Sequence, residues 1–238
     1  MAETADGSAA TPSIVPGALL QRLAARQTWI FDLDNTLYPP EAGIMAQVNE
    51  RMTQFIMREL SLDRGRANDI RSRYWRRYGI TLEGLRRHHG VAPSRFLDEV
   101  HDLDLSHIKP DPALCEALTR LAGDRGTSRR LIVHTNGSRA HATRVLERLD
   151  LTETFAAVYA IEDKGLSPKP EPEAYDRVIA ADGLDPLDAV MLEDTAANLA
   201  VPHRLDMVTL WVTQQSGPTP PQVDHVIPAL VPFLRAIT

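Results

Sequence analysis

The chain has 238 residues, a formal net charge of -6, and the apolar (43%) and charged (24%) fractions of an ordinary soluble globular protein. It has no basic tail or lysine-rich run to suggest a nucleic-acid partner, and no stretch approaches the roughly 20 apolar residues of a membrane span. A single cysteine, Cys115, rules out an intramolecular disulfide and suits a reducing, cytoplasmic setting.

In chain order, residues 1–17 are small and polar, with acids where a signal peptide carries positive charge. They predict a flexible tail and no export, with a short helix over 18–26. Trp29, Ile30 and Phe31 then begin a strand that runs into Asp32-Leu33-Asp34. Carboxylates two apart share one face of a strand. Asn35 and Tyr38-Pro39-Pro40 break the strand, so the pair lies at its carboxyl end, where open α/β sheets bind ligands. Two acids crowded at one site need a cation, or one must keep its proton.

Residues 41–108 are helix-rich, with Ile44, Val48, Met52, Phe55 and Ile56 at helical spacing and no convincing strand. This segment leaves through the stiff Lys109-Pro110-Asp111-Pro112 and reads as a helical module inserted beside the first strand, placed to cover a site and select substrate. Arg71, Arg73, Arg76, Arg77, Arg86 and Arg87, with His88 and His89, make it locally basic. Most are expected on a solvated face paired with acids such as Glu83. Adjacent histidines point about 100° apart on a helix, so His88 and His89 are expected at the surface rather than on a metal. Cys115 follows on an amphipathic pattern that predicts a buried structural thiol.

The remainder alternates strands and helices. Apolar runs at 131–134, 157–160, 189–192, 207–212 and 223–227 read as strands of a parallel sheet covered on both faces, and 139–149 and 172–182 read as helices. The expected fold is a doubly wound α/β core. Polar groups stand at the ends of its strands: Asp32 with Asp34; His134-Thr135-Asn136-Gly137-Ser138, a turn whose backbone N–H groups suit an anionic oxygen; Lys169, held among Pro168, Pro170 and Pro172; and Glu193-Asp194-Thr195, followed by Asn198. Singly, each has a structural alternative. Asp34 could cap a turn, Asp194 a helix, Thr135-Asn136-Gly137 is a common turn, and Lys169 could be a solvated loop residue. Together and in this order they point to one site.

That order resembles the haloacid dehalogenase-like superfamily of phosphohydrolases. Its Asp-x-Asp-x-Thr motif is matched by Asp32, Asp34 and Thr36, its Thr/Ser by Thr135, its lysine by Lys169, and its acidic region by Glu193 and Asp194 with Asn198. FDLDNTLYPP, the stretch Tyr78 to Leu85, HTNGS and PKPEPEAY further resemble the pyrimidine 5'-nucleotidase branch. Glu193 departs from the glycine found in many relatives and leaves the charge at that point open. The resemblance implies a Rossmann-like core over 18–40 and 109–238 and a helical cap domain over 41–108.

It also implies a phosphomonoesterase working through an aspartyl-phosphate, with a small phosphate monoester as partner and pyrimidine nucleoside 5'-monophosphates as the favoured substrate. Asp32 would be the nucleophile and Asp34 the general acid and base. Mg²⁺ would be held by Asp32, the Asp34 backbone carbonyl and Asp194. Lys169, the Thr135 hydroxyl and the Asn136 backbone N–H would hold the phosphoryl group. The stretch Tyr78 to Leu85 would select substrate. Sugar-phosphate or cofactor phosphatases and phosphotransferases or mutases keep the same motifs. Hydrolytic dehalogenation does not need a metal or an acid and would leave Asp34 and Asp194 unexplained.

Overall fold

The computed structural model describes residues 15–123 and 128–238, so the tail expected over 1–17 lies mostly outside the described residues. Its last residues are not free: Val15 is buried and Gly17 opens helix α1 (Gly17–Ala24), whose Leu19 and Leu23 pack into the core. Burial of an apolar side chain stabilises by about 1.5–3 kcal/mol, enough to fix the chain from Val15 on.

Six parallel strands form one sheet in the order β3-β2-β1-β4-β5-β6. They are β1 (Thr28–Phe31), β2 (Arg130–His134), β3 (Ala157–Tyr159), β4 (Ala189–Glu193), β5 (Val208–Val212) and β6 (His225–Ile227). Side chains alternate between two cores, as strand geometry requires. Trp29, Phe31, Leu131, Val133, Val190 and Leu192 enter one, with α6 (Pro112–Gly123), α7 (Arg139–Leu149) and α10 (Leu230–Ile237). Ile30, Ile132 and Met191 enter the other, with Val178 of α8 (Pro172–Asp182). A sheet buried on both faces explains why its strands are continuous apolar runs. Cys115 on α6 is only half-buried, contrary to the expected buried thiol; its Sγ lies 3.4 Å from the Asp150 carbonyl at the rim of that core.

Between β1 and α6 four helices pack together: α2 (Ile44–Leu60), α3 (Arg64–Tyr78), α4 (Thr81–His89) and α5 (Pro93–Val100). Phe55, Ile56, Tyr74, Leu85, Phe96 and Val100 form their own core, joined from the sheet side by Ile161. Asp63 caps α3 by accepting from the Arg66 N–H. Helices α3 and α4 approach so closely at Gly84 that a Cβ there would lie 2.2 Å from the Tyr74 ring. Only Gly79 and Ile80 separate the two helices, so the stretch 78–85 is mostly helical.

Candidate active site

The strand β1 ends at Phe31, so Asp32 and Asp34 lie just past it rather than within it. Asp32 still donates its N–H to the Leu192 carbonyl (2.9 Å), which continues the ladder and fixes the start of the turn. Asp34, two residues on, is in the turn and no longer tied to the alternation of a strand.

Lys169 is 1% exposed and spends all three ammonium hydrogens inside the protein, on Asp32 Oδ1 (2.7 Å), Glu193 Oε1 (2.7 Å) and the His134 carbonyl (2.8 Å). Glu193 is also held by the Asn198 amide (2.6 Å) and the Thr195 N–H (2.7 Å). That resolves the open role of Glu193: it is the second counter-charge of the lysine. Thr36 donates to the other oxygen of Asp32 (3.2 Å). Asp194 does not cap the following turn; it accepts from Asn35 (3.3 Å), while its carbonyl receives the Trp211 indole N–H (2.7 Å).

Side-chain oxygens of Asp32, Glu193 and Asp194 lie within 4.8 Å of one another. Three carboxylates facing one lysine leave an excess of negative charge. Burial, reinforced by neighbouring carboxylates, pushes Asp32 up to about 7 against the pull of Lys169, and raises Glu193 and Asp194 as well. Burial opposes the charge of Lys169, but Asp32 and Glu193 outweigh it and hold the ammonium above its ordinary range. An all-oxygen cluster with surplus negative charge is the donor set of a hard divalent cation, so these residues fit Mg²⁺.

The turn after β2 is built around Thr135. Its N–H bonds the Tyr159 carbonyl and its Oγ1 accepts from the Gly137 N–H (2.9 Å), leaving the hydroxyl hydrogen free to donate. The Asn136 side chain faces the Lys169 backbone, accepting from its N–H (2.8 Å) and donating to its carbonyl (3.0 Å). Lys164, fully buried, adds bonds to the Thr135 carbonyl (2.8 Å) and Asn136 Oδ1 (3.2 Å). Burial pushes this second lysine well below its usual range. Asp34 points elsewhere. Its Oδ1 meets the Tyr38 hydroxyl (2.5 Å) and His141 Nε2 (2.7 Å). Burial would raise Asp34, but His141 and Tyr38 outweigh it and the carboxyl sits below its ordinary range.

Asp32, Asp34, Thr135, Asn136, Lys169 and Asp194 all line one cavity of about 800 Å³. Its opposite wall comes from the helices and includes Arg71, Trp75, Arg76 and His101, together with Gly79 to Leu82. The surface pairing expected of the arginines holds for Arg86 and Arg87, which bond Glu83. It does not hold for Arg71, which is half-buried, bonds Asn49 (2.5 Å) and has a buried Nε without a partner among the described residues. His88 and His89 are exposed and bond Tyr78 and Tyr74. Sequence reasoning missed Tyr38, His141, His101 and Lys164. The available signal for His141 was Ser138, whose side chain accepts from the His141 N–H and so opens α7 with that histidine in the first turn.

No helix among the described residues is long and apolar enough to cross a membrane. Over most of its length the chain is similar to solved structures of this fold. One is an HAD phosphatase from Thermococcus onnurineus, 22% identical with a TM-score of 0.58, the match covering 89% of this chain and 97% of that one. Another is the L-2-haloacid dehalogenase from Xanthobacter autotrophicus, 17% identical with a TM-score of 0.54, covering 89% and 98%. A curated relative, Phosphate metabolism protein 8 of Saccharomyces cerevisiae, is 26% identical over 186 residues, which are 74% of this chain and 58% of that protein. The chain thus spans little more than half the length of that relative. The haloacid dehalogenase-like hydrolase family matches residues 27–205, and on this match and the shared fold the chain belongs to that family of hydrolases.

Proposed function

We propose that the protein is a Mg²⁺-dependent phosphomonoesterase that works through an aspartyl-phosphate, with pyrimidine nucleoside 5'-monophosphates as its substrates. The observation that carries this reading is the meeting of Asp32, Lys169 and the Glu193/Asp194 oxygens at one end of a cavity that Asp34 also lines. A hydrolysis with a halide leaving group uses neither that cation-seeking cluster nor a second acid. The name of the yeast relative, a phosphate metabolism protein, agrees with phosphate chemistry. A cytoplasmic setting belongs to the same reading, supported by the single cysteine.

In this reading Asp32 attacks phosphorus while Lys169 balances its charge. The Thr135 hydroxyl and the Asn136 backbone N–H hold the equatorial oxygens. Asp34 protonates the leaving oxygen as the P–O bond breaks, then takes a proton from the water that cleaves the aspartyl-phosphate. By the family resemblance Mg²⁺ would be held by Asp32 and Asp194 and by the Asp34 backbone carbonyl, while Oδ1 of the Asp34 carboxylate is turned to Tyr38 and His141. When bound it supplies positive charge to the phosphoryl oxygens. Residues 18–40 and 109–238 form the core that performs this chemistry, and 41–108 the cap that selects the substrate.

The test is phosphate release from the 5'-phosphates of uridine, cytidine and adenosine and from ribose 5-phosphate, each with Mg²⁺ and with a chelator. The pyrimidine nucleotides are expected to be turned over best, and only with metal. Turnover that survives chelation overturns the metal; a preference for ribose 5-phosphate overturns the substrate.

A further inference from the structure

We propose that Tyr38 and His141 are positioning residues that lock Asp34 by its Oδ1, and that His101 braces this lock from the helical segment. The inference rests on the phosphomonoesterase reading and adds to it the groups that aim the acid.

Oδ1 of Asp34 receives two bonds from different directions, 2.5 Å from Tyr38 and 2.7 Å from His141. Two donors converging on one carboxylate oxygen fix both side-chain torsions and leave Oδ2 as the oxygen able to carry and exchange a proton. Oδ2 lies beside the turn that would hold the phosphoryl group, 3.5 Å from where a Cβ on Gly137 would sit. A Cβ at 137 would press on the His141 ring, whose Cδ2 is 3.0 Å from the same point, and on the Thr135 hydroxyl at 3.2 Å.

The donors themselves are fixed. His141 is 1% exposed, and its Nδ1 is buried without a partner among the described residues. Nε2 is the ring nitrogen that faces Asp34, a carboxylate that can only accept, so Nε2 donates to it. Tyr38 is buried, and its hydroxyl donates to the carboxylate it faces. The His101 ring stacks on His141 at 4.8 Å with 18° between planes. His101 is held at its Nδ1 by the Leu97 carbonyl of α5 (3.1 Å), and Arg144 of α7 bonds the His101 carbonyl (3.1 Å). The brace thus runs from α5 through His101 to His141 and ends on the acid. Misplacing a reacting group by about 1 Å can cost about a hundredfold in rate, so holding the acid this way carries a measurable effect.

A carboxylate merely kept satisfied by its neighbours and an acid aimed by them respond differently to the leaving group. The nucleotide that the wild type turns over best leaves as an alkoxide and needs a proton. p-Nitrophenyl phosphate leaves as a stable anion and does not. The measurement is kcat/KM, which covers only the steps through aspartyl-phosphate formation, for Tyr38→Phe, His141→Phe and His101→Ala, with melting temperatures recorded alongside. Tyr38→Phe and His141→Phe should each lower kcat/KM on the nucleotide by about tenfold or more while changing it on p-nitrophenyl phosphate by less than about twofold. His101→Ala should show the same pattern at smaller size. An equal loss on both esters, or a loss on neither, overturns the positioning role. A His101→Ala enzyme indistinguishable from wild type removes the brace. A wild type that releases phosphate from neither ester overturns the phosphomonoesterase reading itself, a result distinct from either of these.

Discussion

The two walls of the cavity are built in opposite ways. On the sheet side Lys169 has each of its hydrogens placed, and Asp32, Glu193 and Asp194 are tied to Thr36, Asn198, Thr195 and Asn35. On the helical side Arg71 has one side-chain partner and no carboxylate among the described residues, and Trp75 is 61% exposed. A closed network holds reacting groups in one geometry before anything binds. Open donors and a bare aromatic face gain their partners only from a ligand. On the proposed function, the contrast separates a wall that would perform chemistry from a wall that would read what the phosphate carries.

The largest effect should come from opening the closed wall. Lys169→Met leaves Asp32 and Glu193 buried and facing one another without their cation. Breaking one side of a buried ion pair costs about 3–5 kcal/mol, or roughly 6–20 °C in Tm for a chain of this size. Turnover should fall by about a hundredfold or more as the charge balance at the nucleophile is lost. A variant that melts with the wild type would show that the network is not closed in the sense argued.

An intermediate effect should come from the open wall. Arg71→Met removes a charged donor from the cavity without touching the sheet-end network. For the best nucleotide KM should rise about tenfold with kcat little changed, the signature of binding lost equally from ground and transition states. On p-nitrophenyl phosphate, which lacks a base and a sugar, KM should not move. A fall in kcat at constant KM would place Arg71 on the chemical side of the comparison and erase the distinction.

The closed wall was also the more legible one in the sequence. Its strands are buried on both faces and so read as unbroken apolar runs, and its polar groups stand where those runs stop. Asp32, Thr135 and Asp194 stand directly after strand ends, and Lys169 in the loop between β3 and α8. His141 is not legible in this way, because it is 107 residues from Asp34 and nothing local marks which histidine of an amphipathic helix faces a site; Tyr38, four residues from Asp34, reads only as part of the break after the strand. Arg71 and Arg86 were indistinguishable for a related reason. Arginine on a helix surface looks alike in sequence whether the helix turns it to water or to a cavity. Glu193 looked like an anomaly of charge until Lys169 was seen beside it. The leader reads as free because its small and polar composition hides Val15, which anchors its end.

The smallest effect marks the outer edge of the helical wall, where arginines are paired and the cavity is not involved. Glu83 bonds Arg86 at 2.9 Å and also Arg87, with side-chain exposures of 48% and 56% for the two arginines. The bond from Arg86 is the main cause holding the Glu83 carboxyl below its ordinary range; burial opposes it and Arg87 assists. A carboxyl depressed on folding adds stability above its unfolded pKa of about 4.3, and that stability is lost as pH falls through the folded value. Both partners are well exposed, so solvent screening keeps the contribution under about 1 kcal/mol. Glu83→Gln should therefore melt slightly lower than wild type near pH 7. The gap should close below about pH 4, where the wild-type side chain also becomes neutral. Its kcat/KM should match wild type at every pH where both are folded. A rise in KM would mean that this paired edge reaches the substrate, and the division of the arginines into surface and cavity sets would have to be redrawn.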